Sequence, residues 1–182
     1  GIVVENTIGA DVDNNTANNN TGGILVFNMP SIPQRGYATR VFDNDVHSNN
    51  TENFAIAGTA VSGVPTGSGI MVNSNDQVEI FNNRITNNNT ANIVISSYFS
   101  ANFAGQRELA AEFDPYPEQI MIYDNSFEGG GTAPGLDYLT QLRNALYGDQ
   151  GAFPDILWDG LVNPENDGTI PAVCIDNGDA EL

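Results

Sequence analysis

One stretch, Val78–Thr90 (VEIFNNRITNNNT), constrains the fold more than any other, because its frame is repeated. An apolar-x-apolar-x-x-Asn-x-apolar spacing is carried there by Val78, Ile80, Asn83 and Ile85. The frame recurs at Ala10, Val12, Asn15 and Ala17, at Thr39, Val41, Asn44 and Val46, and at Ile120, Ile122, Asn125 and Phe127. Alternation on either side of a turn residue specifies short strands, not helix. Second apolar runs lie at Gly1–Val4, Gly23–Val26, Gly69–Val72 and Asn92–Ile95. Ile2 to Ile24 is 22 residues, and Ile70 to Ile93 is 23. A unit of that length cannot bury its apolar face alone, so neighbouring units must stack. Stacking predicts inward columns Ile2/Ile24/Ile70/Ile93, Val4/Val26/Val72/Ile95 and Val12/Val41/Ile80/Ile122. It also puts Asn15, Asn44, Asn83 and Asn125 above one another. Asn suits that place because it tolerates a left-handed backbone and its amide can bond from unit to unit. A leucine-rich repeat shares the Leu-x-Leu-x-x-Asn-x-Leu spacing but continues into a Leu-rich helical segment. Here Asn-Asn-Thr and Gly-Ile-x-Val follow instead.

Short Val/Ile strands between Asn-rich turns, as in Thr21–Phe27 and Val78–Ile85, resemble the right-handed parallel β-helix repeat proteins of bacterial envelopes and secretions. These belong to the pectate-lyase-like superfamily, and the resemblance covers Gly1 to about Gly129. It implies an all-β fold, a right-handed single-stranded parallel β-helix (solenoid), and a secreted, periplasmic or cell-surface location. The same superfamily holds pectate lyases, polygalacturonases and mannuronan epimerases, so fold alone selects no activity.

Residues 1–130 are expected to form the repeats, with insertions at 28–38, 51–68 and 97–118. The first and third leave equivalent points, each after a Gly/Asn-Ile-x-Val/Ile run, and should lie side by side. Phe54 and Ile56 are expected to anchor the second, and Gln106–Glu112 to form a short helix within the third. Loops this long bind or cover something. Residues 131–182 read as a C-terminal cap. Leu136, Leu139, Leu142 and Leu146 make a helical stripe that stops at Gly148, followed by Phe153–Trp158 and a strand at Ala172–Ile175. The chain opens inside a repeat, without Met, as an excerpt or processed product would.

The formal charge of −18 comes from 23 acids against five bases, and every base is Arg. Such a surface repels nucleic acid, anionic membranes and uronate polysaccharides. Nor does any apolar run reach the length of a membrane span. The absence of Lys excludes Schiff-base chemistry. The single cysteine, Cys174, permits no internal disulfide and is expected to be a small buried hydrophobe.

Outward positions should form ladders between repeats. In one, Arg40 stands between Asp11 and Glu79. Asp45 faces Arg84, and Asp13, Phe42, Phe81 and Tyr123 form a third series. Phe42, Phe81 and Tyr123 could bind sugar rings, or be covered by the cap helix or an insertion. Val3/Leu25/Met71/Val94 is an apolar ladder lying beneath a loop or at an oligomer contact. Asp43 and Asp45, flanking a turn Asn, are candidate calcium ligands. His47 faces outward with no second His, which argues against zinc. Asn-Asn-Thr at 14–16, 19–21, 49–51 and 88–90 are formal glycosylation sequons, with Asn19, Asn49 and Asn88 as the exposed acceptors.

No polygalacturonase-type or epimerase-type catalytic run occurs. The expected function is therefore a structural or binding module for a glycan or protein partner. The alternative is a carbohydrate-active enzyme of lyase, hydrolase or epimerase type, whose candidate residues on the insertions are Tyr98, Asp114 and Tyr116, with Asp43 and Asp45 as further carboxylates.

Overall fold

The computed structural model describes residues 1–57, 59–100, 109, 112–166 and 168–178. The chain visits three sheets in rotation. It runs through β1 (Ile2–Glu5), β2 (Asp11–Asp13) and β3 (Thr16–Asn18), then β4 (Gly22–Phe27), β5 (Arg40–Phe42) and β6 (Asp45–His47). The third round is β7 (Ser68–Asn73), β8 (Glu79–Phe81) and β9 (Arg84–Thr86), and the fourth is β10 (Ala91–Ser96), β11 (Ile120–Tyr123) and β12 (Ser126–Glu128). Helix α1 (Asp137–Tyr147), β13 (Ile156–Trp158) and β14 (Val173–Asp176) complete it. The sheets are ordered β1-β4-β7-β10-β13, β2-β5-β8-β11-β14 and β3-β6-β9-β12, and every pairing is parallel. Among the described residues the protein is thus mostly β, with one α-helix. Gln106–Glu112 falls almost wholly outside the described residues.

The inward columns have the expected register: Ile2–Ile24–Ile70–Ile93–Ile156 in the first sheet and Val12–Val41–Ile80–Ile122–Ile175 in the second. Together they form the main apolar core. β4, β7 and β10 are buried on both faces, which accounts for their unbroken apolar sequences. On the outer face of that sheet, Leu25, Met71 and Val94 pack with Phe27, Val64, Ala91 and Tyr98 into a second core. That apolar ladder therefore lies beneath the chain's own loops, and of its members only Val3 is exposed.

The turns divide two duties that the sequence assigns to one residue. The left-handed backbone belongs to the residue before each ladder Asn: Asn14, Asp43, Asn82 and Asp124 have φ of 53–55°. The ladder Asn itself supplies the amide. Asn15, Asn44, Asn83 and Asn125 each donate from both the backbone N–H and Nδ2 to the Oδ1 of the next Asn, at 2.9–3.0 Å along the first four and 2.7 and 3.1 Å onto Asn177. A second ladder runs Asn20–Asn49–Asn88 at 3.0–3.3 Å. Gly23 and Gly69 sit against it, where an added Cβ would come within 2.8 Å of the Asn49 and Asn88 amides. Asn49 and Asn88 are fully buried, so the sequons that begin with them offer no acceptor; Asn14 and Asn19 remain exposed.

Several expectations change. Cys174 is exposed, because it occupies an outward position of β14 beside Met121. Phe54 and Ile56 are 87% and 80% exposed and anchor nothing; Val64, after the short 3-10 helix Ala60–Gly63, does so instead. On α1 the buried pair is Leu139 and Arg143, while Leu142 and Leu146 face outward. Arg143 takes that side because it donates to the Thr132 and Asp149 carbonyls. β13 and β14 extend two of the sheets, so the segment after residue 130 is more than a lid.

Asn83→Ala strands the buried Asn44 N–H and removes the amide that donates to the Val41 and Phe81 carbonyls. It should lower the unfolding free energy by about 3 kcal/mol, measured by urea titration, whereas Asn14→Ala at the exposed position should cost less than about 1 kcal/mol.

Candidate functional site

The two insertions do meet. In the first, Asn28 holds the loop closed: its Nδ2 donates to the Gly36 carbonyl at 2.9 Å and its Oδ1 accepts the Gly36 N–H at 2.8 Å. Asn6 secures the middle by donating to the Gln34 carbonyl at 2.6 Å. Arg35 projects from this brace toward the second insertion. There the Tyr98 N–H and the Ser74 hydroxyl both donate to the Pro115 carbonyl, at 2.8 and 2.9 Å. Tyr98 is buried edge-on against Phe113 at 5.5 Å. It is a pillar of the loop and has no access to a substrate.

At the junction, Arg35 Nη2 donates to Asp76 Oδ2 and, at 3.0 Å, to Asp114 Oδ2. Asp76 comes from the turn after β7, and its other oxygen accepts the Glu118 N–H at 3.0 Å. Asp114 Oδ1 accepts the Tyr116 N–H at 3.0 Å, and Glu118 accepts from the Asn166 amide at 3.0 Å. Asp76, Asp114 and Glu118 each bring an oxygen within 4.8 Å of the others. Three carboxylates so placed suit a hard cation. Arg35, however, already donates to two of them and supplies the positive charge itself. Burial pushes the Asp76 carboxyl up to about 6; Arg35 opposes the rise and Asp114's charge adds to it.

Arg35 and Asp114 form a sill shared by two clefts. One, of about 360 Å³, is walled by Glu112, Tyr116, Asn163 and Glu165; the other, of about 270 Å³, by Pro30, Ile32, Pro33 and Gln34. Phe99, 46% exposed, tilts against Tyr116 with ring centroids 5.7 Å apart.

The other candidates do not converge. Phe42, Phe81 and Tyr123 stack at 5.0 and 4.9 Å with interplanar angles of 4° and 1°. Phe81 thus has both faces turned to a neighbour and Phe42 and Tyr123 one each, and the Arg40 guanidinium lies 5.5 Å from the centre of the Phe42 ring. A sugar needs an open face, and Phe81 at the middle of the ladder has none. It stays half-buried without help from α1, which packs near Met71 and Val94 on the first sheet. Asp45 is paired with Arg84 at 2.9 Å, while Asp43 is exposed on the left-handed turn. Arg40 grips Asp11 with two hydrogen bonds, at 2.8 and 2.6 Å, and holds its carboxyl below the ordinary value. Glu79 lies next to Arg40 in register but accepts the Tyr123 hydroxyl at 2.8 Å. The sequence pattern does not single out Asp76, Glu118 or Arg35. The one signal it holds is that Asp76 and Glu118 each stand two residues before an inward position, Val78 and Ile120, that anchors the same frame.

Comparison with protein-family models, characterised proteins and solved structures returns no match. Among the described residues no helix is long and apolar enough to cross a membrane.

The folded-state value for Asp76 lies above its unfolded value of 3.8. The native state therefore holds this proton more tightly, and the stabilisation is fully present below about pH 4 and lost as pH rises through about 6. Asp76→Asn should remove this component, flattening the Tm-against-pH curve between pH 4 and 6.5 in calorimetry.

Proposed function

We propose that this chain is a right-handed parallel β-helix acting as a binding module, with its ligand site in the cleft between the two insertions. The rotation of the chain through three parallel sheets supports the winding. Parallel connections within a sheet are almost always right-handed, which supports the hand. The Asn ladders and ion-pair ladders occupy the scaffold's polar groups internally and leave the insertions free to vary.

The observation that carries the site is the convergence of Tyr116, which Phe99 supports from outside the cleft, with Glu112, Asp114, Asn163 and Glu165 around one cleft. An accessible aromatic ring beside carboxylates and amides is the chemistry that holds sugars: C–H faces pack on the ring and hydroxyls donate to the acids. The acidic walls repel uronates, so the ligand is a neutral glycan. A secreted or cell-surface location fits such a ligand. Binding is favoured over hydrolysis because the clustered carboxylates converge on Arg35 at one point. Glycosidases flank the scissile bond with carboxyls about 5–10 Å apart.

A glycan array followed by calorimetry tests this reading. A neutral oligosaccharide should be retained, Tyr116→Ala should weaken it about tenfold, a loss of about 1.4 kcal/mol, and a reducing-end assay should stay flat. Retention of uronates alone, or release of reducing ends, would contradict it.

A further inference from the structure

The junction beneath the cleft carries three carboxylates against one guanidinium. With all three ionised, Asp76, Asp114 and Glu118 with Arg35 leave a net charge of −2 in a partly buried cluster. Asp76 is 10% and Asp114 14% exposed at the side chain, so water relieves little of that repulsion. The three acids come from separate parts of the chain. Asp76 belongs to the turn after β7, while Asp114 and Glu118 lie at the end of the second insertion; Arg35 comes from the first. Any change of charge here acts directly on how the insertions are held together.

We propose that this cluster is a proton-operated clamp, docking the two insertions against each other at mildly acidic pH and loosening them as the pH becomes neutral. Carboxylates gathered this way disfavour one another's ionisation, so one of them keeps its proton more readily than it would alone. One bound proton removes one negative charge from the cluster and still leaves Arg35 an ionised partner. Loss of that proton sets Asp76 against Asp114 and Glu118. The weaker side of the junction then yields: the 114–118 segment, held to Asp76 through the Glu118 N–H. Burial of Asp76 and the resulting upward shift of its carboxyl to about 6 place the transition between acidic and neutral conditions.

The groups facing Asp76 are consistent with this direction. The first insertion brings Arg35, and Tyr37 meets Asp76 only through the backbone. The second brings Asp114 and Glu118, with Glu112 on the cleft wall. The C-terminal segment brings Asn166, uncharged, onto Glu118, and Glu165 onto the cleft wall. The sole histidine, His47, lies on β6 in the third sheet against Asn18 and does not take part.

The clamp borders the proposed ligand cleft and rests on that reading only for its purpose, since its own test needs no ligand. Amide hydrogen exchange is followed at Glu118, Tyr116 and Tyr98, the three N–H groups that hold the second insertion in place. After correction for intrinsic exchange, their protection should fall roughly tenfold or more between pH 5 and 7.5. In Asp76→Asn the protection should be the same at both pH values, and in Glu118→Gln the drop should shrink. Protection at Val41 and Ile80, within β5 and β8, should not move in any of the three proteins. The clamp is overturned by pH-independent protection in the native chain or by an undiminished drop in Asp76→Asn. A matching loss at Val41 and Ile80 overturns it too, because the transition would then belong to the whole fold.

Discussion

Buried amide-to-amide hydrogen bonding between successive repeats is the interaction on which the rest of the structure depends. Parallel strands of three residues have too few ladder bonds to fix their own register. Here each turn places an Asn whose backbone N–H and Nδ2 both donate to the Oδ1 of the Asn in the following repeat. A slip of one residue would break both bonds and turn every inward Ile or Val outward. Apolar columns and polar ladders therefore demand the same register. Because Asn44, Asn49, Asn83 and Asn88 are all but fully buried, an unmade bond there is costly, and that cost is what makes the ladder specify the fold.

That arrangement shapes where function can reside. Both arginines on the repeats are consumed by local pairs, Arg40 with Asp11 and Arg84 with Asp45, and Tyr123 donates to Glu79. The aromatic ladder is consumed by its own stacking. The insertions stand apart from this closure. They bring together residues distant in sequence, such as Arg35 and Asp114, in a setting where opposing charges are not balanced one to one. Two carboxylates share one guanidinium there, whereas on the repeats each arginine pairs with a single acid.

The repeats were legible in the sequence because their period is local and strict. Ile80, Val41 and Val12 announce one column by spacing alone, and the register of Phe42 with Phe81 follows from it. The proximity of the two insertions was legible for the same reason, since both leave equivalent points. What was hidden depends on direction and burial. Leu142 and Leu146 lie on an apolar helical stripe, yet Arg143 is buried because carbonyls on neighbouring loops need its donors. Asp76 looks like one acid among 23 until Arg35 and Glu118 close over it. The second Asn ladder was concealed in triplets that read equally well as sequons. Only the fit of Gly23 and Gly69 against Asn49 and Asn88 shows why those asparagines face inward.

The central claim is that turn asparagines hold the repeats in register through buried amides. Exchange of the side-chain NH₂ protons, resolved by ¹⁵N NMR, tests it most directly. The Nδ2 protons of Asn44, Asn49, Asn83 and Asn88 should exchange at least about a hundredfold more slowly than those of the exposed Asn14 and Asn19. Uniformly fast exchange across all six would contradict the account.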